Sequence, residues 1–250
     1  MALAHPGLRL LFLCAAVLLV VHQLPGCARA SDPDILTDFV VPQDLADPSQ
    51  LNGTFFTYTR LVSGNAGDPA KFTATKATAA EFPALLGQSV SFAALVFGAG
   101  TVNPTHIHPR ASELLVVVQG ALFVGLVDAA RNGTLHTATL QAGDMFVFPK
   151  GMVHFQSNNG TDVARAFSAF GSASPGTISL PTELFETGID DHVLEKSFHT
   201  DQATVDALKH DLQQAPAPAP PQNSAPVVAF VGARLAAVML CVSTAFSLVL

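Results

Sequence analysis

Between residues 89 and 170 the chain is broken into short runs rich in Val, Leu and Phe, separated by Gly, Pro and Asn. Within the runs apolar and other residues alternate, and a period of two is the period of a strand, since successive side chains point to opposite faces. Strands are predicted at 89–97, 113–118, 122–127, 134–140, 145–148, 153–156 and 164–170. So many short antiparallel segments in so little chain leave room only for a sandwich or barrel. The period changes after Pro181, where Val205, Leu208 and Leu212 fall on one face of a helix starting near Asp201. The expected fold is therefore an all-β core, about residues 85–180, with a C-terminal helical extension over 181–214. Residues 31–51, which include Pro33, Pro42 and Pro48, read as an irregular arm.

The ends carry different signals. Arg9, an apolar run at 10–21 and Ala28-Arg29-Ala30 form a secretory leader over residues 1–30. Its apolar run is too short for the ~20 residues that span a bilayer. Residues 215–223 are a Pro-rich stalk. Asn223, Ser224 and Ala225, a spacer and an apolar run from Leu235 then match a GPI-anchor signal over 224–250. The competing spanning helix at 227–250 is interrupted by Arg234. Cys14, Cys27 and Cys241 all lie in these removable ends, so the mature chain needs a core, a metal or oligomerisation in place of disulfides. Residues 31–223 hold nine basic residues against all 19 acids, a net charge of −10. With the basic residues scattered singly, a nucleic-acid partner is excluded. On a secreted chain, Asn52, Asn132 and Asn159 each open an Asn-Gly-Thr glycosylation triplet.

Chemistry concentrates in four residues. His106 and His108 are two apart and so share a strand face. Glu113, of opposite parity, needs a bulge or turn at 109–112 to join them, and Pro109 makes that break reasonable. His154 returns on a later strand after the turn that begins at Gly143. Two imidazoles and a carboxylate buried together are costly unless a cation neutralises the acid. A three-nitrogen, one-oxygen set suits a divalent transition ion and leaves Mn, Fe, Zn and Cu open. A structural zinc site would favour the cysteines that the mature chain lacks. His136, His192, His199 and His210 are expected to be ordinary hydrogen-bonded core residues.

The spacing Gly100-x5-His106-x-His108-x4-Glu113-x6-Gly120, followed by Gly143-x5-Pro149-x4-His154-x3-Asn158, resembles both sequence boxes of the cupin superfamily as found in plant germins and germin-like proteins. The likeness extends over residues 31–214 and includes Asn103-Pro-Thr-His-Ile-His-Pro-Arg110. It implies a jelly-roll barrel with manganese held by His106, His108, Glu113 and His154. It also implies a hexamer built as a trimer of dimers, located in the apoplast.

Family members are assigned oxalate oxidase or superoxide dismutase activity, and many have neither. Oxalate oxidation in germins goes with two asparagines near the metal. Asn103 matches the first and is the candidate substrate-binding residue, but Ala93 stands where the second is expected. A site built for hydrogen bonds loses ~1–3 kcal/mol for each absent partner, so the resemblance points away from oxalate and towards superoxide dismutation of a small anion, with a role in defence or stress. The alternative from another class is a non-catalytic cell-wall or receptor-like binding protein whose metal is structural. Two departures from the family stand out: the N-terminal arm lacks the usual cysteine pair, with Val40 and Val41 where the first is expected, which leaves the arm held by packing alone. Gln119-Gly120-Ala121 replaces a charged tripeptide.

Overall fold

The computed structural model describes residue 32 and residues 35–41, 51–63 and 70–214. The leader, stalk, apolar tail and all three cysteines lie outside the described residues. The chain divides into two units, one ending at Thr187 and one beginning at Gly188.

The first unit holds two five-stranded antiparallel sheets. One has the order β1 (Phe72–Ala77), β2 (Ser91–Phe97), β9 (Ala164–Phe170), β4 (Glu113–Gln119), β7 (Met145–Phe148). The other runs β10 (Ile178–Ser179), β3 (Val102–Ile107), β8 (His154–Ser157), β5 (Ala121–Asp128), β6 (Thr134–Gln141). This is the expected jelly-roll, and each of the seven predicted strands is present to within about two residues at its ends. The sheets begin earlier than residue 85, at Phe72, and β1, β3 and β10 add to the predicted set. A one-turn helix α1 (Arg60–Ser63) precedes the sheets and α2 (Leu180–Phe185) follows them.

The core fills the space between the sheets, with Phe97, Leu115, Val117, Leu122, Val124, Phe148, Ala164 and Ala166 all buried. Strict alternation on β9, where every second residue from Ala164 is buried, shows how period two selects the inward face. Gly125 on β5 sits opposite Phe155, whose ring would lie 2.3 Å from an added Cβ. Gly120, with φ +74, turns β4 into β5 where a Cβ would come within 3.1 Å of Ala164. That packing accounts for glycine at the centre of Gln119-Gly120-Ala121.

The N-terminal arm is held by more than packing. The Asp32 carboxylate accepts hydrogen bonds from the Ser172 hydroxyl and, at 2.6 Å, from Ala173 N–H. Gln88 Nε2 donates to the Asp38 carbonyl, and the Phe39 ring packs on Phe55 and Phe56. Polar ties thus supplement the aromatic contacts.

The second unit holds α3 (Asp191–Phe198) and α4 (Gln202–Gln214). Asp190 caps α3 by accepting from His192 N–H, and Asp201 caps α4 by accepting from the Thr204 N–H and hydroxyl. The predicted start of α4 is borne out. Val205 is fully buried, but Leu208, expected on the same apolar stripe, is 41% exposed. The Lys209 ammonium pairs with Asp191, linking the two helices.

Candidate metal centre

His106 lies near the end of β3, His108 just beyond it, Glu113 at the start of β4 and His154 at the start of β8. Their exposures are 3, 5, 2 and 1%. One ligand atom from each falls within 4.8 Å of all the others. The parity difficulty posed by Glu113 disappears because β4 belongs to the other sheet. The chain crosses the barrel at residues 108–112, and the carboxylate faces the imidazoles from the opposite wall.

A bulge does the fine positioning on β3. Asn103 pairs with Gln156 and His106 with His154, so β3 has one residue more than β8 over this stretch. Residues directly opposite in an antiparallel ladder share a face, and so do Gln156 and His154, two apart. The extra residue therefore brings Asn103 and His106 onto the same inward face, although their sequence parity differs. Pro104, which has no N–H to donate to the ladder, lies within the bulge.

All three rings are oriented through Nδ1. His106 Nδ1 lies 2.7 Å from the Pro104 carbonyl, His154 Nδ1 2.8 Å from that of Met152, and His108 Nδ1 2.6 Å from that of Gly176. A carbonyl only accepts, so each Nδ1 carries a proton and Nε2 is the ring atom turned inward, free to donate to Glu113 when protonated or to offer its lone pair to a cation. Two of these nitrogens, from His108 and His154, lie 2.9 and 3.2 Å from Glu113 Oε2. Acceptors facing a carboxylate oxygen at such distances repel unless a cation or proton lies among them. This donor set fits a divalent first-row ion, for which bonds of about 2.1 Å hold neighbouring donors ~3–4 Å apart.

The electrostatics agree. Burial, reinforced by repulsion from His154 and His108, pushes His106 down to about 3. For Glu113, burial acts upward, but the hydrogen bonds and charges of His108 and His154 outweigh it and hold the carboxyl well below the usual carboxylate range. Around neutral pH the group presents neutral His106 and a carboxylate, the state that a cation requires. Phe148 stacks on His154 at 4.4 Å and Phe170 meets His108 edge-on at 4.8 Å, walling the polar group from the core.

Family comparison decides the identity of the barrel. The cupin family model matches residues 61–206. The chain belongs to the cupin family, in its germin-like branch. Germin-like protein 9-1 of Oryza sativa subsp. japonica is 77% identical over 198 residues, 79% of this chain and 79% of that protein. Germin-like protein 9-3 of the same organism is 52% identical over 206 residues, covering 80% of this chain and 95% of the relative. Among solved structures, an oxalate oxidase superposes with a TM-score of 0.67 at 32% identity, over 72% of this chain and 97% of that one. An oxalate oxidase holding the substrate analogue glycolate has the same TM-score at 31% identity, with the same coverage of both chains. Within this germin-like cupin, the buried three-histidine, one-glutamate group is the metal-binding arrangement that suits the fold.

Several residues around the site were not singled out by sequence. Ser168, fully buried on β9, donates from its hydroxyl to Glu113 Oε1 at 2.6 Å. Gln156 Nε2 approaches the same oxygen at 3.4 Å, while its Oε1 accepts from Asn103 Nδ2 at 2.6 Å. Asn103 thus lies one residue removed from the carboxylate. Ala93, 3% exposed, pairs with Ser168 in the sheet and puts a methyl beside this network. Arg110 donates from Nε to the Ser174 carbonyl, and its backbone N–H to that of Pro175, fixing the loop that presents Gly176 to His108. Only the inward alternation of β9 pointed towards Ser168. Nothing local marked Gly176, 68 residues from the ring it orients.

The other predicted residues lie elsewhere. Asn52, Asn132 and Asn159 are exposed, as glycan attachment requires. His136, His192, His199 and His210, expected in the core, are all exposed instead. These histidines fall in the edge strand β6, in the two helices or at a helix end, where no inward face takes them up. Asn158 of the second box is structural: its Nδ2 lies 3.0, 3.0 and 2.8 Å from the carbonyls of Phe97, Gly98 and Asp162.

Proposed function

We propose that the protein is a secreted manganese-binding germin-like protein of the apoplast or plant cell surface that dismutates superoxide and does not oxidise oxalate. The observation that carries this reading is the convergence of one ring nitrogen from each of the three histidines with a Glu113 carboxylate oxygen inside the barrel, each ring held by a backbone carbonyl. His106, His108, Glu113 and His154 are the ligands. Bound manganese supplies a one-electron couple and open positions for a small oxygen species. Three neutral imidazoles and one carboxylate around a divalent ion leave a net charge near +1, which draws an anion despite the acidic exterior.

The residues nearby argue against oxalate. One of the two N–H donors of the Asn103 amide is engaged by Gln156, and Ala93 offers no second amide. Dicarboxylate recognition would then lose ~1–3 kcal/mol for each absent partner. Superoxide dismutation asks for less. It combines two superoxide ions and two protons into dioxygen and peroxide, and requires no bidentate grip.

The test is metal analysis of the secreted protein joined to two assays. Manganese bound in proportion to chain, superoxide dismutation lost in His106→Ala, and no peroxide release from oxalate support the reading; robust oxalate turnover sinks it. Metal bound with neither activity favours the non-catalytic binding role, in which the ion stiffens the barrel. Glycans at Asn52, Asn132 and Asn159, a GPI anchor and a homo-hexamer belong to the same proposal. Glycosidase shifts, phospholipase release and light scattering test them separately. Among the described residues no helix is long and apolar enough to cross a membrane.

A further inference from the structure

We infer that Ser168 is a positioning residue that divides the two oxygens of Glu113, reserving Oε2 for the metal and tuning the redox potential of the ion. The inference rests on the metal-binding reading above. On β9 the inward positions are Ala164, Ala166, Ser168 and Phe170, so a lone hydroxyl interrupts an otherwise apolar row. Burying a hydroxyl is costly unless it is bonded, and alanine would fill the row with no such demand. The hydroxyl proton goes to Glu113 Oε1 at 2.6 Å, a short charge-assisted bond.

The neighbouring oxygen has a different fate. Oε2 faces His108 Nε2 and His154 Nε2, while Oε1 has Ser168 and, at the limit of hydrogen bonding, Gln156 at 3.4 Å. Remove the hydroxyl and Oε1 keeps only that long amide contact, so the carboxylate is free to turn both oxygens towards the ion. With the hydroxyl in place Glu113 donates through one oxygen and leaves more of the coordination sphere to substrate. The same bond withdraws charge from the carboxylate, which favours the reduced over the oxidised ion and raises the potential. The ladder pairs Ser168 with Leu115 and Glu113 with Phe170, which sets Ser168 diagonal to Glu113 on the same inward face and within reach of its carboxylate.

The experiment compares manganese-loaded wild type, Ser168→Ala and Ser168→Thr by chelator competition, redox titration and electron paramagnetic resonance of manganese(II). Ser168→Ala is expected to bind manganese about tenfold more weakly. It is also expected to shift the oxidised-to-reduced ratio about tenfold towards the oxidised ion, a fall of about 59 mV for one electron, and to change the zero-field splitting. Ser168→Thr, which restores a hydroxyl, returns all three towards wild type. A Ser168→Ala protein with wild-type affinity, potential and spectrum overturns the inference. So does one whose metal-free melting point falls while potential and spectrum stay put, which marks a packing role alone. Wild-type protein that takes up no manganese overturns the metal reading itself, and this inference with it.

Discussion

At the scale of single residues, the site is built from side chains whose second atoms are already committed. Each imidazole spends its Nδ1 proton on a carbonyl, and Glu113 spends one oxygen on Ser168. Gly176 is a vulnerable point of this scheme. Its φ is +70, and an added Cβ would lie 2.7 Å from the Arg110 guanidinium. Gly176→Ala is expected to cost about 1–2 kcal/mol in backbone strain and to weaken metal binding about tenfold by displacing the carbonyl that orients His108. Isothermal titration alongside thermal melts checks both. Acid acts on His106 with a definite sign. Its ring stays neutral in the fold down to about 3, whereas the unfolded chain takes up the proton near its ordinary 6.5. The metal-free protein therefore loses stability as pH falls through that window, by about 2 kcal/mol between pH 7 and 5. Glu113, also held low, adds a further loss below the carboxylate range. Urea midpoints at the two pH values measure the effect, and His106→Asn should flatten it.

At the scale of elements, strands with clean alternation were readable and strands with interruptions were not. β9 reads ARAFSAF with every second residue buried, whereas β3 reads VNPTHI, polar, bulged and interrupted by Pro104. β10 has two residues, too few to show any period. The two histidine boxes still marked the ligands because His106 and His108 keep their spacing whatever the rest of β3 does. β5 and β8 meet tightly where Phe155 lies over Gly125. Gly125→Ala is expected to destabilise the domain by about 1–3 kcal/mol through overpacking. Phe155→Leu in the same chain should recover part of that loss, a coupling that a double-mutant cycle measures. Leu208 faces solvent although its spacing matches Val205, because helical periodicity defines a stripe but not how wide a stripe the neighbouring structure covers.

At the scale of the whole molecule, one sheet presents an apolar outer face. Leu114 is flanked in the ladder by Val147 and Ala169, and Val116 by Met145 and Phe167. Met145 and Val147 are 57 and 55% exposed and Leu114 is 40% exposed. Contiguous exposed apolar surface is the kind of surface that interfaces use, and the proposed homo-oligomer would cover it. Met145→Glu together with Val147→Lys is expected to reduce the assembly to smaller species in light scattering while leaving each chain folded by circular dichroism. Metal links fold and site across the same scale. Ligands come from both sheets, so stripping the ion should lower the melting temperature; a hundredfold excess over the dissociation constant corresponds to about 2.7 kcal/mol of stabilisation.

Local order along the chain was enough to determine the alternating strands, the helix starting at Asp201 and the four candidate ligands, because period and spacing depend on nearest neighbours. Tertiary structure alone decided that Glu113 faces the histidines from the other sheet, that Gly176 and Ser168 hold the ligands in place, and that four further histidines lie at the surface. Those outcomes depend on which distant segments pack together, and contacts across tens of residues leave no trace in local composition or period.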